Sequence, residues 1–337
     1  MNASINYPDH LIETHTGAIG RQRIIVVGGP TATGKTALGV ALAFEFDGEV
    51  VNADSRYLYR EFDIGVAKPS PEEQNGVRHH LIDILPPDGS MSLARYQDLA
   101  MVAIEDILQR GKLPILVGGT PLYLNAVVEG WRIPRVPPNA ARRASLEREA
   151  EADGVEALSH RLRLVDAGAA DRCGANLRRI IRALEIYEET GIPMSAQEGK
   201  GPPPFLALEL GLTRPRDALF RAIDDRVSDQ IARGLVAEVR SLRKRGVAEN
   251  ASAMSSIGYR QLLPFLRGES TLEEAVERIR LDTHRYVRHQ ETWLRKNPRL
   301  IAIDTSEPGW KAEAARYVRT FLHPPAPAPV ESGARES

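Results

Sequence analysis

The sequence has one cysteine, no long apolar run and almost no net charge. Because Cys173 has no second cysteine to pair with, an intrachain disulfide and a cysteine-paired zinc finger are excluded, and a reducing compartment is indicated. No apolar run approaches the roughly 18 residues that cross a bilayer. The first two dozen residues, which include Asp9 and Glu13, contain no apolar segment of the kind found in secretory signals. We therefore expect a cytoplasmic protein without a membrane segment.

The overall charge balance indicates no partner. The 337 residues carry a formal net charge of -1, with 26% charged and 42% hydrophobic residues, which is ordinary for a folded protein with a core. This length allows two domains, or one domain with a large insertion. A nucleic-acid partner would therefore need a local basic face that acidic residues balance elsewhere in the chain.

Short β-branched runs alternate with helical segments along much of the chain. Three of these runs are RIIVVGG from Arg23, GEVVNADS around Asp54 and LPILVGGT around Gly118. Two more are FLALELGLT at 205–213 and RLIAIDTS near residue 300. Continuous apolar strands are typical of a parallel sheet that is buried on both faces. The alternation therefore predicts an α/β fold, with a parallel sheet flanked by helices.

A change of composition separates the middle of the chain from the rest. Pro134, Pro137 and Pro138 break the chain, and helical segments rich in Arg and Glu follow without a clear strand. We therefore predict a helical insertion domain within a single α/β core. The predicted boundaries are a disordered N-terminal arm at 1–22, a core at 23–129 and 202–322, the insertion at 130–201 and a disordered tail at 323–337.

The stretch GGPTATGKT, residues 28–36, matches the pattern G-x-x-x-x-G-K-[ST] between a predicted strand and a predicted helix. In such a P-loop the backbone N–H groups and the positive end of the helix converge on a phosphate. Lys35 adds a point charge, and the Thr36 hydroxyl can hold Mg²⁺. The predicted phosphate-binding residues are Gly29, Pro30, Thr31, Ala32, Thr33, Gly34, Lys35 and Thr36. The motif predicts a P-loop NTPase-like core but does not say which phosphate compound binds.

Asp54 ends the second predicted strand. In an open parallel sheet this is the edge where ligands bind and where the phosphate loop opens. A carboxylate at this point can hold Mg²⁺ through water, act as a general base, or cap the segment that begins at Ser55. Because a kinase also uses an aspartate here, Asp54 alone does not separate phosphoryl transfer from another reaction.

Seven segments together resemble those of the tRNA dimethylallyltransferases, also called tRNA isopentenyl transferases. The segments are GGPTATGKT, NADSRYLYREFDIGVAKP, HHLIDIL, LVGGTPLYL, RRIIRALEIYEETG, SSIGYRQL and RHQETWLR. The resemblance covers roughly residues 24–305. It implies transfer of a dimethylallyl group from dimethylallyl pyrophosphate to the exocyclic amine of the tRNA adenosine 3′-adjacent to the anticodon, with Mg²⁺ and without ATP. The lack of a C-terminal Cys/His zinc finger implies the bacterial type.

The resemblance also implies a role for several residues. Asp54 matches the family's general base, which takes the proton of an adenine amine that is a poor nucleophile on its own. Lys35, the loop amides and Mg²⁺ on Thr36 would stabilise the departing pyrophosphate. Thr120 matches the family threonine beside the target adenine. That base must be drawn out of the anticodon loop into a channel of the enzyme, because a base paired in a stem would hide its amine.

The RNA is expected to bind at local clusters of basic residues. Arg178, Arg179 and Arg182 share one face of a predicted helix, Arg143 matches a tRNA-contacting position of the family, and Arg260 with THRYVRHQETWLRK forms a second basic surface. The expected tRNA-binding residues are Asp54, Ser55, Arg56, Tyr57, Thr120, Arg143, Arg178, Arg179, Arg182 and Arg260. The alternative is that these arginines lie on solvated helix faces, paired with nearby glutamates.

Four positions near the expected site depart from the family pattern. Tyr57 stands where Gln is usual, Val66 where Thr is usual, Pro121 where Gly is usual and Asn176 where Asp is usual. These departures leave open a paralogue that prenylates another adenine acceptor. Two further alternatives are a P-loop small-molecule kinase and a non-catalytic RNA-binding protein.

For three other features we expect no direct part in the chemistry. His79 and His80 have no cysteine at ligand spacing, so we expect a structural role for them. Trp293 is expected in the core. The chain is expected to act as a monomer.

Overall fold

The structure, a computed structural model, describes residues 22–324. The predicted arm and tail fall almost wholly on 1–21 and 325–337, which lie outside the described residues. No helix between residues 22 and 324 is long and apolar enough to cross a membrane.

The fold is built on a parallel six-stranded sheet. The strands of the described chain are β1 (Arg23–Gly28), β2 (Gly48–Asn52), β3 (His79–His80), β4 (Leu113–Gly118), β5 (Trp131–Arg132), β6 (Gly199–Lys200), β7 (Leu206–Thr213) and β8 (Ile301–Asp304). The sheet has the order β3-β2-β4-β1-β7-β8, and every pairing in it is parallel. The predicted α/β class with a parallel sheet is therefore confirmed.

Helices cover both faces of the sheet. They are α1 (Lys35–Glu45), α2 (Pro71–Gln74), α3 (Leu93–Gln109), α4 (Pro121–Val128), α5 (Ala140–Asp153), α6 (Val155–Val165), α7 (Ala167–Cys173), α8 (Leu177–Thr190), α9 (Met194–Gln197), α10 (Arg216–Ala232), α11 (Leu235–Lys244), α12 (Tyr259–Leu266), α13 (Leu272–Lys296) and α14 (Trp310–Leu322). Between β7 and β8 the chain forms four α-helices, α10 to α13.

Alternate residues of β1 divide the core into two layers. Ile24 and Val26 belong to a cluster on one face, whereas Ile25 and Val27 belong to a cluster on the other, and all four are almost fully buried. Side chains of a strand alternate between faces, so both faces of this strand need apolar residues. The β-branched run in β1 therefore specifies a strand at the centre of the sheet, between β4 and β7.

The helices α5 to α9 form a separate helical layer between β5 and β6. Leu146, Leu158 and Ile180 anchor its own hydrophobic cluster. At its base β5 and β6 pair antiparallel, and the Gly201 N–H donates to the carbonyl of Gly130 at 2.8 Å. The sequence analysis found no clear strand in this region. It missed β5 and β6 because strands of two residues are too short to show a period.

His79 and His80 form β3 at the edge of the sheet. His80 is buried and lies 2.7 Å from the Glu49 carboxylate, which Arg110 also contacts through both guanidinium nitrogens. Burial alone would raise the pKa of Glu49, but hydrogen bonds from Arg110 and His80 outweigh it and lower the pKa to about 2. Within residues 22–324 no group of three or more His, Cys, Asp or Glu residues could hold a metal ion. The network joins β2, β3 and α3.

Candidate active site

A cavity of about 1030 Å³ opens where β1, β2 and β4 end. The phosphate loop, the Asp54–Tyr57 segment and the Thr120–Leu122 segment follow these three strands and line one side of the cavity. Side chains of α10, α12 and α13 line the other side. The topology therefore brings together segments that are far apart in the sequence, at the edge where ligands of such sheets bind.

The phosphate loop has the shape that its glycines permit. Gly29 has a φ of +152°, and a Cβ there would lie 2.9 Å from the Leu212 carbonyl oxygen. Gly34 has a φ of +86° and no side chain to cap α1, so the first amides of that helix are left for an anion. Inside the loop, Thr33 Oγ1 and Lys35 Nζ both donate to the Pro30 carbonyl, at 2.8 and 2.7 Å.

Lys35 and Asp54 line the same cavity and interact electrostatically. Burial lowers the pKa of Lys35 to about 8, although the charge of Asp54 acts to raise it. Asp54 Oδ1 accepts the Arg56 N–H at 2.9 Å, and the Asn52 side chain binds both the N–H and the carbonyl of Asp54. The carboxylate thus stabilises the turn that begins at Ser55, as the capping alternative requires. It also lines the cavity, as a general base or a magnesium ligand requires.

Thr120 lies next to Asp54 because the ends of β2 and β4 are joined. Its Oγ1 accepts the Ser55 N–H at 3.0 Å, and its own N–H donates to the Ala53 carbonyl at 3.2 Å. The close approach of the two strands requires Gly118, since a Cβ there would lie 2.1 Å from the Ala53 carbonyl carbon. Thr120 and Ser55 both line the cavity.

Tyr57 is partly buried and lines the cavity near the phosphate loop. Its hydroxyl donates to the Ala67 carbonyl at 2.9 Å. Burial raises the pKa of Tyr57 to about 12, although Thr36 acts to lower it. The residue that replaces the usual glutamine therefore contacts Thr36 and the 63–68 segment in addition to lining the cavity.

The structure separates the arginines that were expected to bind tRNA. Arg143 and Arg182 both donate to Glu185, whose side chain is 3% exposed, at 2.7 and 2.6 Å. This arrangement matches the alternative of arginines that pair with a glutamate. Arg178 and Arg179, on the same helix α8 as Arg182, are exposed to solvent.

Two more of the expected arginines lie at the cavity itself. Arg260 contacts Asp282 at 3.2 Å and is half exposed. Arg56 donates to the Ser252 carbonyl at 2.8 Å, which links the Asp54 turn to the segment before α12. Asn176, another departure from the family pattern, caps α8 by accepting the Arg179 N–H, a role that Asp would fill equally well.

Several lining residues were missed by the sequence interpretation. Arg226 on α10 donates to the Val66 carbonyl at 3.0 Å, and its charge acts to lower the pKa of Lys35. Gln230 on the same helix donates to the carbonyls of Ile64 and Gly65, both at 2.8 Å. Single polar residues in amphipathic helices give no signal that distinguishes them from solvated positions.

Glu238 holds the chain segment that follows the Asp54 turn. Its carboxylate accepts the N–H groups of Asp63, Ile64 and Gly65 at 3.2, 2.9 and 3.3 Å, and the Tyr259 hydroxyl at 2.5 Å. The ring of Tyr259 also fills the space beside Gly65, where a Cβ would lie 2.4 Å from it. The DIGVAKP segment is therefore a fixed wall of the cavity.

Trp293 packs partly buried against the core, and its ring lies 3.6 Å from where a Cβ of Gly28 would be. Trp293 thus contacts the core, as expected, but from a partly buried position.

A phosphate loop after the first strand of a parallel sheet, with an aspartate and a threonine across one large cavity, defines a P-loop α/β enzyme of the group-transfer class. A model of the IPP transferase family matches residues 57–297. The tRNA dimethylallyltransferase of Thermomicrobium roseum is 55% identical over 303 residues, which cover 90% of this chain and 92% of that protein. The chain therefore belongs to the tRNA dimethylallyltransferase family, which confirms the sequence resemblance.

Solved structures agree with this assignment. The full-length tRNA isopentenylpyrophosphate transferase from Bacillus halodurans is 37% identical, with a TM-score of 0.68, over 90% of this chain and 97% of that one. A eukaryotic dimethylallyltransferase acting on tRNA is 27% identical, with a TM-score of 0.76, over 92% and 81% of the two chains.

Proposed function

We propose that the protein transfers a dimethylallyl group from dimethylallyl pyrophosphate to the exocyclic amine of the tRNA adenosine 3′-adjacent to the anticodon. The products are N6-(dimethylallyl)adenosine and pyrophosphate. The observation that carries this proposal is the cavity in which Lys35 of the phosphate loop, Asp54 and Thr120 meet. Membership of the family supports the same reaction.

The chemistry assigns separate tasks to the two charged groups. The bond between the allylic carbon and the pyrophosphate oxygen breaks, and its electron pair leaves with the pyrophosphate. Lys35 and the first amides of α1 stabilise that negative charge. The bond between the amine nitrogen and the allylic carbon forms, and Asp54 accepts the proton that the amine loses.

The oxygen donors at the phosphate loop fit a magnesium ion. Thr36 lines the cavity, and its hydroxyl oxygen is a ligand of the kind that Mg²⁺ prefers. The one O–H of Tyr57 donates to the Ala67 carbonyl, so it is not directed at the Thr36 oxygen. The chemistry that Mg²⁺ supplies when bound is neutralisation of charge on the departing pyrophosphate.

The basic residues around the cavity fit a tRNA acceptor. Arg56 and Arg260 lie at the cavity, and Arg178 and Arg179 are exposed on the helical insertion. This local positive charge fits a polyanion although the whole chain is nearly neutral. We accordingly assign the insertion to tRNA binding and the chain to the cytoplasm, where tRNA is found. We also keep the expectation that the chain acts as a monomer.

A transfer assay tests the proposal. The purified protein is incubated with radiolabelled dimethylallyl pyrophosphate, Mg²⁺ and bulk tRNA, and the RNA is digested to nucleosides. We expect label in N6-(dimethylallyl)adenosine, and none when the acceptor is an anticodon stem-loop whose target adenosine is replaced by guanosine.

Two outcomes favour the alternatives. Transfer of phosphate from γ-labelled ATP to a small molecule, without any labelled nucleoside, supports the kinase. Label on an adenine compound other than tRNA supports the paralogue.

A further inference from the structure

Gln290 on α13 connects two of the segments that line the cavity. Its side chain is buried, with 4% of its surface exposed. Its Oε1 accepts the N–H of Thr31 in the phosphate loop at 3.1 Å, and its Nε2 donates to the Gly119 carbonyl at 2.8 Å. One amide group therefore ties the loop after β1 to the turn after β4, and both of its ends are satisfied as a buried polar group requires.

The hydrogen bond to Thr31 fixes one peptide group of the loop from both sides. The carbonyl of that peptide belongs to Pro30 and accepts from Lys35 and Thr33. Its N–H belongs to Thr31 and donates to Gln290. If the peptide rotated, both sets of hydrogen bonds would be lost together. The orientation that keeps Lys35 on the Pro30 carbonyl is thus held in part by Gln290.

The fit around this amide leaves little freedom. A Cβ on Gly119 would lie 2.6 Å from Gln290 Nε2 and 3.6 Å from Lys35 Nζ, so the amide and the ammonium lie on the same side of that glycine. Close packing of this kind holds a side chain in one rotamer.

The same helix forms part of the opposite wall. Tyr286 and Arg285 of α13 line the cavity, and Asp282, one further turn away, accepts from Arg260 and Gln261 of α12. Because a helix is a rigid element, the hydrogen bond from Thr31 to Gln290 fixes the phosphate loop relative to this wall. The distance between the phosphate loop and the acceptor side therefore depends on Gln290.

We propose that Gln290 is a positioning residue for the diphosphate, acting through the Pro30–Thr31 peptide and Lys35. The proposal deepens the proposed function and rests on it for the identity of the diphosphate substrate. Gln290 touches neither reactant in this role. Its loss weakens diphosphate binding while leaving the tRNA contacts of Arg178, Arg179 and Arg260 in place.

The test compares Gln290→Met with a matched control, Gln97→Met. Gln97 is also a buried glutamine, with Nε2 bonds to the carbonyls of Ala126 and Trp131, but it does not line the cavity. Both variants should lose thermal stability. Only Gln290→Met should raise the KM for dimethylallyl pyrophosphate, by about tenfold, as expected for the loss of a hydrogen bond that orders a charged site.

Binding of inorganic pyrophosphate, measured by calorimetry with Mg²⁺, gives a readout that needs no turnover. It should weaken about tenfold in Gln290→Met and stay within about twofold in Gln97→Met. The KM for tRNA should stay within about twofold in both variants. If the parent protein binds pyrophosphate but modifies no tRNA, the proposed function fails while the role of Gln290 is still tested.

Equal pyrophosphate affinities in Gln290→Met and the parent would overturn the proposal, as would a tRNA KM that rises as much as the KM for the diphosphate. Should Gln290→Met fail to fold, Gln290→Asn takes its place. That variant keeps a neutral amide that is one methylene too short to reach the Thr31 N–H and the Gly119 carbonyl together, so it too should bind pyrophosphate more weakly than the parent. Unchanged binding there refutes the role equally.

Discussion

Replacement of Asp54 by asparagine tests the proposed base with little disturbance of the fold. In the parent, Asp54 Oδ1 accepts the Arg56 N–H at 2.9 Å, and the amide oxygen of asparagine can accept the same bond. The bonds from Asn52 go to the backbone of residue 54, so the substitution does not affect them. Ser55 stays bound to Thr120. The substitution therefore removes the charge and the proton acceptor and retains the turn.

The expected loss lies in the chemical step. General base catalysis contributes about 10²–10⁴-fold to a rate, which corresponds to about 2.7–5.5 kcal/mol of activation free energy. The substitution should not weaken binding of the anionic diphosphate, because it removes a negative charge that acts on Lys35. We therefore expect kcat to fall by about 10²-fold or more, while the KM for dimethylallyl pyrophosphate stays the same or decreases.

Asp304 supplies the matched control. It ends β8 on the same edge of the sheet, and its Oδ1 accepts the Ser306 N–H at 2.9 Å in a turn like that of Asp54. It does not line the cavity. In the labelled transfer assay, Asp304→Asn should turn over normally. Near-normal turnover by Asp54→Asn, with the same unfolding temperature as the parent, would refute the assignment of Asp54 as the base.

Three further predictions concern charged groups. Lys35→Ala should lower turnover by about 10²–10³-fold, because the ammonium no longer stabilises the pyrophosphate; a kinetically silent variant contradicts this. Neutralising the exposed Arg178 and Arg179 should weaken tRNA binding and flatten its salt dependence in a filter-binding assay, and an unchanged slope would indicate solvated faces. The lowered pKa of Glu49 means that its pairing with Arg110 stabilises the fold above the ordinary pKa of 4.5 and loses this effect as the pH falls toward about 2. Arg110→Met should therefore lower the unfolding temperature at neutral pH, by an amount that shrinks across that window, and a pH-independent difference would contradict the ion pair.

Residue types that have one structural meaning were predictable from the sequence. The glycines and lysine of the phosphate loop, and the β-branched run before them, identify a strand, a loop and a helix start at 23–35. The position of Asp54 followed from topology, since neighbouring parallel strands end at one edge. The shift of the end of β2 to Asn52 depends on a side chain that binds the backbone of Asp54, which the strand pattern does not reveal.

Residues whose role depends on a distant partner were not predictable. The sequence leaves Arg143 and Arg182 either on the RNA or beside nearby glutamates, and only the fold shows that both pair with the buried Glu185. Gln290 and Arg226 are single polar residues in amphipathic helices, and their partners lie 259 and 160 positions away. Periodicity reports which face of a helix is apolar, and it carries no information about what that face meets.

The short pairing of β5 with β6 has an evolutionary consequence. The chain leaves the sheet layer at β5 and returns to it at β6, and these two strands are paired. The helices α5 to α9 are therefore a lobe that is attached through one short two-stranded connection. Gly130 allows this connection to be tight, because any side chain there would collide with the Pro202 carbonyl. Such a lobe can grow, shrink or be exchanged between relatives while the strands on either side keep their register. Changes in this lobe can thus occur without rebuilding the cavity at the ends of the strands.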